Sequence, residues 1–132
     1  MGLDLRAGRE AGRLGSDPWP SWSYTGFSLF RSRLAHHIGI DLPSMNGFGG
    51  EGDWASVQSP LRHLLDHPDD RGTLSVDQAA ELAPALEEVL AEISERLGPG
   101  DDVRWDYDVR TGTDLVALLR LCVEEGVPVE FG

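Results

Sequence analysis

Lysine is absent from this sequence, and all eleven basic residues are arginine. The arginines are scattered along 132 residues and are outnumbered by 23 acidic residues, which leaves a net charge of -12. Because nucleic-acid binding depends on neutralising phosphates with clustered positive charge, this balance disfavours direct contact with a nucleic-acid backbone. We interpret the missing lysine as a mark of GC-rich coding, since scattered arginines do not suggest phosphate recognition.

Disulfides and long apolar runs are excluded as well. A single cysteine, Cys122, cannot form an internal disulfide, which fits a reducing compartment. The longest aliphatic stretch, residues 115–119, is far shorter than the ~20 residues that a membrane-spanning helix needs. The first ten residues include acidic side chains and lack the apolar core of a signal peptide. We therefore expect a soluble, cytoplasmic protein that does not enter a membrane.

The acidic charge is confined to the second half of the chain. Residues 1–65 contain six arginines and six acidic residues, whereas residues 66–132 contain five arginines and seventeen acidic residues. An inhibitor that imitates a nucleic acid is usually acidic over most of its surface, so the neutral first half counts against that function. The uneven charge predicts instead that function is confined to one face.

The length and composition predict a single domain spanning residues 1–132. Hydrophobic residues make up 40% of the sequence and include four tryptophans, which argues against wholesale disorder. Two segments are expected to lack regular structure: the Gly/Pro/Trp-rich residues 8–23 and the glycine-rich loop at residues 40–53.

Apolar residues at helical spacing predict two helices in the first half of the chain. The first covers residues 24–38, and Ser23 can cap its start. The second is short: it begins at Pro60, a residue suited to the first helical position, and stops before Pro68.

Two longer helices are predicted in the acidic half. Ser75 and Gln78 have the spacing of a capping box, in which each side chain satisfies a backbone N–H of the other residue at a helix start. An acidic loop at residues 101–108 then leads to a last helix that Thr111 or Thr113 caps.

The two ends of the chain have a different pattern. Residues 2–6 and 127–131 alternate apolar and polar side chains like short strands, and pairing them would bring the termini together. The fold class that follows is mainly α: one domain of about four helices, with a short two-stranded β ribbon joining the termini.

Residues 67–78 match the calcium-binding helix-loop-helix pattern in part. With Gly72 as the turn glycine, the candidate metal ligands are His67, Asp69, Thr73 and Ser75. Arg71 and Gln78 stand where calcium sites carry an oxygen ligand and a bidentate glutamate, so most of the expected charge is missing. A calcium site is one hypothesis, a plain helix connector is another, and His63 with His67, four residues apart, suggests zinc as a third.

Residues 47–52 satisfy the G-x-G-x-x-G pattern of dinucleotide-binding loops. A convincing strand does not precede them and Glu51 would repel phosphate, so a tight turn is the better interpretation. A nucleophile with a matching base does not stand out either, because the histidines are scattered. The sequence therefore favours a non-catalytic protein over an enzyme.

The third predicted helix carries glutamates at i, i+7, i+11 and i+14 spacing, which places them along one face. These are Glu81, Glu88, Glu92 and Glu95. Trp105 and Tyr107, in the predicted acidic loop, are candidate aromatic anchors. Together the six residues form the predicted binding surface for a protein partner with a basic surface.

Four segments resemble small uncharacterised proteins of actinobacteria and their phages: residues 23–31 (SYTGFSLFR), 45–50 (MNGFGG), 60–74 and 126–131. The likeness covers most of the chain. It implies a soluble intracellular protein with a degenerate EF-hand-like loop, and it implies no activity. Members of that group read closer to H-x-D-x-D-G at the loop, and Arg71 departs from this pattern, which weakens a cation site further.

The function predicted from the sequence is a non-catalytic binding or regulatory protein that presents an acidic face to a basic partner. The main alternative is a divalent-cation-binding helix-loop-helix protein with calcium or zinc at residues 67–78. The second alternative is an acidic inhibitor that mimics a nucleic acid.

Overall fold

The computed structural model describes residues 2–7, 20–45, 50–54, 57–66, 72–97 and 103–131. The fold is mainly α-helical, as the apolar spacing predicts. The α-helices of these ranges are α1 (Tyr24–His37), α2 (Arg62–Leu65), α3 (Val76–Leu97) and α4 (Val103–Glu125), with a short 3-10 helix at Leu42–Ser44. The strands are β1 (Gly2–Ala7), β2 (Ser21–Ser23), β3 (Thr73–Leu74) and β4 (Val129–Phe131).

The strands form one antiparallel sheet in the order β2-β1-β4-β3. Leu5 lies opposite Phe131 and Ala7 opposite Val129, so the predicted pairing between the two ends of the chain is confirmed. The ribbon is larger than predicted, because β2 and β3 extend it at both edges. These strands have three and two residues, too few to produce a recognisable alternation in the sequence.

Helix α1 begins and ends close to the predicted positions. The hydroxyl oxygen of Ser23 accepts a hydrogen bond of 2.9 Å from the backbone N–H of Gly26, which makes Ser23 the N-cap. Gly39 follows the helix with a φ of +81°, a conformation that glycine adopts at little cost. Local chemistry therefore fixes both ends of this helix.

Helix α3 starts with the predicted capping box. The amide N–H of Gln78 donates to the Ser75 hydroxyl at 3.1 Å, and the amide N–H of Ser75 donates to the Gln78 side-chain oxygen at 2.9 Å. Seven apolar side chains of α3 are buried along its inner face, against α1, α2 and α4. The helix thereby leaves its glutamates on the outside.

The predicted acidic loop at residues 101–108 is wrong for the part that the structure describes, because α4 already begins at Val103. The buried face of α4 includes Asp108, Thr111 and Gly112, and these residues hide the helical period of the apolar ones. Thr113 is not a cap, since its hydroxyl donates to the carbonyl of Val109 at 2.6 Å within the helix.

Two segments predicted to be irregular contain ordered elements. Within residues 8–23, of which 8–19 lie outside the described ranges, Ser21–Ser23 forms β2, and Trp22 is buried and stacks on Phe30 at 4.8 Å. Within residues 40–53, of which 46–49 lie outside the described ranges, Leu42–Ser44 forms a 3-10 turn. Burial of Trp22 and Leu42 stabilises these short elements where local propensity is weak.

Arg31, a residue of α1, donates a hydrogen bond to the end of the short helix α2. Its side chain is 4% exposed, and one terminal guanidinium nitrogen donates to the carbonyl of Leu65 at 3.3 Å. The residue therefore satisfies a carbonyl at the end of α2 instead of lying in solvent. Helix α2 starts at Arg62, two residues later than predicted, and the Ser59 hydroxyl accepts a hydrogen bond from the amide of Leu61.

Candidate functional site

The acidic stripe of α3 consists of Glu81, Glu88, Glu92 and Glu95. All four side chains are exposed, on the side of α3 opposite its buried residues. The four carboxylates therefore lie along one face of α3 over about four turns, as their spacing predicts.

Two of the four carboxylates contact histidines of neighbouring helices. Oε1 of Glu81 lies 2.7 Å from Nε2 of His63, and Oε1 of Glu92 lies 2.8 Å from Nε2 of His37. Both histidines are largely buried, with side chains 12% and 17% exposed. The sequence did not predict these pairs, which join α3 to α2 and to α1.

His37 makes a second contact that defines its hydrogen bonding. A guanidinium nitrogen of Arg96 lies 3.4 Å from Nδ1 of His37. Because a guanidinium can only donate, Nδ1 accepts, and in a neutral ring Nε2 then carries the proton that is donated to Glu92. Arg96, His37 and Glu92 thus form a continuous chain across α1 and α3.

The other two carboxylates of the acidic stripe have no such partner in the part of the chain that the structure describes. Glu88 and Glu95 form no ion pair or hydrogen bond with any residue in the described ranges. Within the described ranges the charge of Glu88 and Glu95 is not offset by an ion pair, whereas Glu81 and Glu92 are held in position by His63 and His37.

The aromatic residues proposed as anchors lie elsewhere. Trp105 is 2% exposed, and its indole N–H donates to the Ser94 hydroxyl at 3.1 Å, so it belongs to the packing between α3 and α4. The prediction that Trp105 is an aromatic anchor for a partner is therefore wrong, because its side chain is buried. Tyr107 is 40% exposed, but its hydroxyl donates to the carbonyl of Ser21 at 2.6 Å, which places it beside β2.

A groove of about 500 Å³ lies between α1, α3 and α4. Its lining includes Leu29, Arg33, His36, Arg96, Arg104 and Asp108, and we call it the arginine groove. Three arginines against one aspartate leave it with a formal charge of +2, in a chain whose net charge is -12. This cluster is not predictable from the sequence, because its arginines come from three helices and no spacing connects them.

Asp108 lies at the inner end of this cluster. Its side chain is 2% exposed, accepts a hydrogen bond of 3.1 Å from the indole N–H of Trp22, and lies 3.6 Å from Nε of Arg104. Arg104 also lies over the ring of Tyr107, at 5.7 Å from its centroid. The guanidinium is thereby held along the edge of the groove.

The candidate cation loop is described only in part. His67 and Asp69 lie outside the described residues, as does Arg71. Gly72 has the positive φ, +98°, that the turn position requires, and Thr73 belongs to β3.

Two further candidate ligands make contacts within the protein. The hydroxyl of Ser75 accepts the capping hydrogen bond of α3, and Nε2 of His63 contacts Glu81. Within the described residues, no three His, Cys, Asp or Glu side chains gather closely enough to hold a metal ion. The calcium and zinc hypotheses stay predictions.

Comparison with known proteins found no matching family model, curated protein or solved structure. The resemblance to proteins of actinobacteria and their phages therefore stays a prediction. Among the helices in the described ranges, none is both long and apolar enough to cross a bilayer.

Proposed function

We propose that this protein is a non-catalytic binding or regulatory protein that presents the acidic stripe of α3 to a protein partner with a basic surface. One observation carries the proposal: four exposed carboxylates share one helix face, and two of them are positioned by histidines. Charge of one sign on a defined surface attracts an oppositely charged partner and selects its orientation.

Positioning of Glu81 and Glu92 favours binding for a second reason. A side chain that is already ordered loses less conformational entropy when a partner contacts it. The hydrogen bonds from His63 and His37 restrain these two carboxylates before any partner arrives. Glu88 and Glu95, which have no partner within the described residues, supply charge that a basic side chain can neutralise directly.

The proposal is tested by comparing two variants of equal net charge. Glu88→Gln/Glu95→Gln removes two charges from the acidic stripe, whereas Glu124→Gln/Glu125→Gln removes two exposed charges from the end of α4. An oligolysine peptide serves as the basic probe, and its affinity is measured by calorimetry at low salt.

We expect the stripe variant to bind the peptide about two- to thirtyfold more weakly than wild type, since each exposed ion pair contributes about 0.2–1 kcal/mol. The α4 variant should lose less affinity for the peptide, and binding of the peptide to the wild-type protein should weaken steeply with added salt. Equal losses in the two variants would show that only total charge matters and would overturn the proposal.

A further inference from the structure

The arginine groove has a chemical character that the proposed function does not use. It concentrates positive charge on a strongly acidic protein, and it combines that charge with apolar side chains. Leu29 is 54% exposed at its edge, while Ile93 and Leu97 complete its apolar lining. A volume of about 500 Å³ lies within the range of small-molecule sites, about 300–1,000 Å³.

Arg96 has hydrogen-bonding capacity to spare. Its side chain is exposed, and its hydrogen bond within the described residues is the long contact to Nδ1 of His37 at 3.4 Å. A guanidinium carries five N–H donors, so most of those of Arg96 remain available to an acceptor in the groove. Carboxylate and phosphate oxygens match this fork of donors best.

Arg104, which also lines the groove, lies against Gly26 at the start of α1. A Cβ atom at Gly26 would come within 2.0 Å of a terminal guanidinium nitrogen of Arg104, so only glycine lets the guanidinium lie against the start of α1. Nε and that nitrogen are buried, yet 40% of the side chain is exposed. The exposure therefore falls on the rest of the side chain, and Arg104 is one of the residues that line the groove.

Asp108 limits what the groove accepts. Its buried carboxylate offsets one of the three arginines, and a second anion close to it would be repelled. A ligand head group must therefore lie on the Arg96 side of the groove and meet Arg104 only at the part of its side chain that is away from Asp108. Its apolar part then reaches Leu29 and Leu97.

We propose that the arginine groove binds a small organic anion with an apolar body, its charged head between Arg96 and Arg104 and its body against Leu29 and Leu97. Charge complementarity selects the anion, and the apolar lining selects against a bare inorganic ion. This site is separate from the acidic stripe, so either proposal can fail without the other.

Octanoate is the probe, with acetate and 1-octanol as matched ligands that lack the apolar body and the charge. Binding to the full chain is measured by calorimetry and by the shifts of backbone amides. We expect octanoate to bind, to raise the melting temperature and to move amides of α1, α3 and α4 around the groove. Acetate and 1-octanol should bind much more weakly.

Variants locate the charged head. Arg96→Gln and Arg104→Gln should each weaken octanoate binding by about tenfold to hundredfold, the effect of losing hydrogen bonds to a charged group. Arg110→Gln, an exposed arginine of α4 outside the groove, should leave the affinity within about twofold.

A variant at Leu29 separates loss of binding from loss of folding, because this side chain is exposed and its replacement should leave the fold intact. Leu29→Glu introduces a negative charge on α1 at the edge of the groove and should abolish binding, while Ala117→Glu, at an exposed position of α4 that does not line the groove, should not. The proposal is overturned if octanoate does not bind at millimolar concentration. It is also overturned if 1-octanol binds equally well, or if Arg96→Gln and Leu29→Glu bind octanoate like wild type.

Discussion

The indole N–H of Trp22 donates a hydrogen bond of 3.1 Å to Oδ1 of Asp108, and both residues are almost completely buried. This contact joins β2 to α4 across 86 positions of sequence. A buried carboxylate is costly unless its oxygens are hydrogen-bonded, so the contact stabilises the packing of the sheet edge against the helices.

Trp22→Phe should therefore destabilise the protein by about 1–3 kcal/mol, because it withdraws a donor from a buried charged acceptor while keeping an aromatic ring against Phe30. The change is measured by urea unfolding. Trp105→Phe is the matched control, since its indole donates to the neutral hydroxyl of Ser94. The free energy of unfolding of Trp105→Phe should fall by less, about 0.5–1.5 kcal/mol for the lost hydrogen bond. A larger loss of stability in Trp105→Phe than in Trp22→Phe would contradict a stabilising role for the hydrogen bond to Asp108.

Gly112 marks the close approach of α4 to α3. A Cβ atom at this position would lie 3.0 and 3.1 Å from the two terminal carbons of Leu90 and 3.3 Å from the ring of Phe30. Leu90 and Phe30 are buried, so neither can move away freely.

Gly112→Val should destabilise the protein by about 1–3 kcal/mol through overpacking, as measured by thermal and urea unfolding. Ala117→Val at an exposed position of the same helix isolates the cost of a β-branched residue, which is below about 1 kcal/mol. If Gly112→Val were no worse than Ala117→Val, the approach of the two helices at Gly112 would have to be wider than the structure gives.

The capping box at Ser75 yields a third prediction. Ser75→Ala removes the hydroxyl that accepts the Gln78 amide, and it should destabilise the protein by about 0.5–2 kcal/mol. Ser28→Ala, at an exposed position inside α1, should be neutral or slightly stabilising because alanine is the better helix former. Equal stability of the two variants in urea unfolding would contradict the role of Ser75 as a cap.

These cases separate what the sequence predicts from what it does not. The caps at Ser23 and Ser75 depend on residues three positions apart, so the pattern alone locates the starts of α1 and α3. The inner face of α3 is uniformly apolar, and its helical period is clear. The start of α4 is not predictable in this way, because Asp108 occupies a core position whose hydrogen-bond donor, Trp22, is distant in sequence.

The candidate sites show the same division. Spacing along α3 predicts the acidic stripe, but the sequence does not reveal that His63 and His37 contact two of its members. The arginine groove depends on three helices that meet only in the folded chain, and single arginines among many acids carry no local signal. Features that lie on one helix are thus predictable from residue spacing, whereas features made by several helices are not.

The ion pair between Glu87 and Arg120 joins the exposed sides of α3 and α4. Two guanidinium nitrogens of Arg120 donate to the two carboxylate oxygens of Glu87, at 2.7 and 3.1 Å. This hydrogen bonding, with the charge of Arg120, lowers the pKa of Glu87 below its ordinary value of 4.5. A group whose pKa is lowered by folding stabilises the folded state above its unfolded pKa, and that contribution is lost as pH falls through the folded pKa.

Glu87→Gln should therefore lower the melting temperature at pH 7, and its difference from wild type should shrink below about pH 4.5 and vanish in stronger acid. Glu88→Gln is the control, because it removes the same charge from a neighbouring carboxylate that forms no ion pair within the described residues. Added salt should reduce the effect at pH 7, since the pair is exposed. Arg120→Gln should lower the melting temperature at pH 7 for the same reason, and the double variant Glu87→Gln/Arg120→Gln should lose less stability than the two single variants together, because either change alone already breaks the pair. A melting temperature for Glu87→Gln equal to that of Glu88→Gln at every pH would show that the pair contributes nothing to stability.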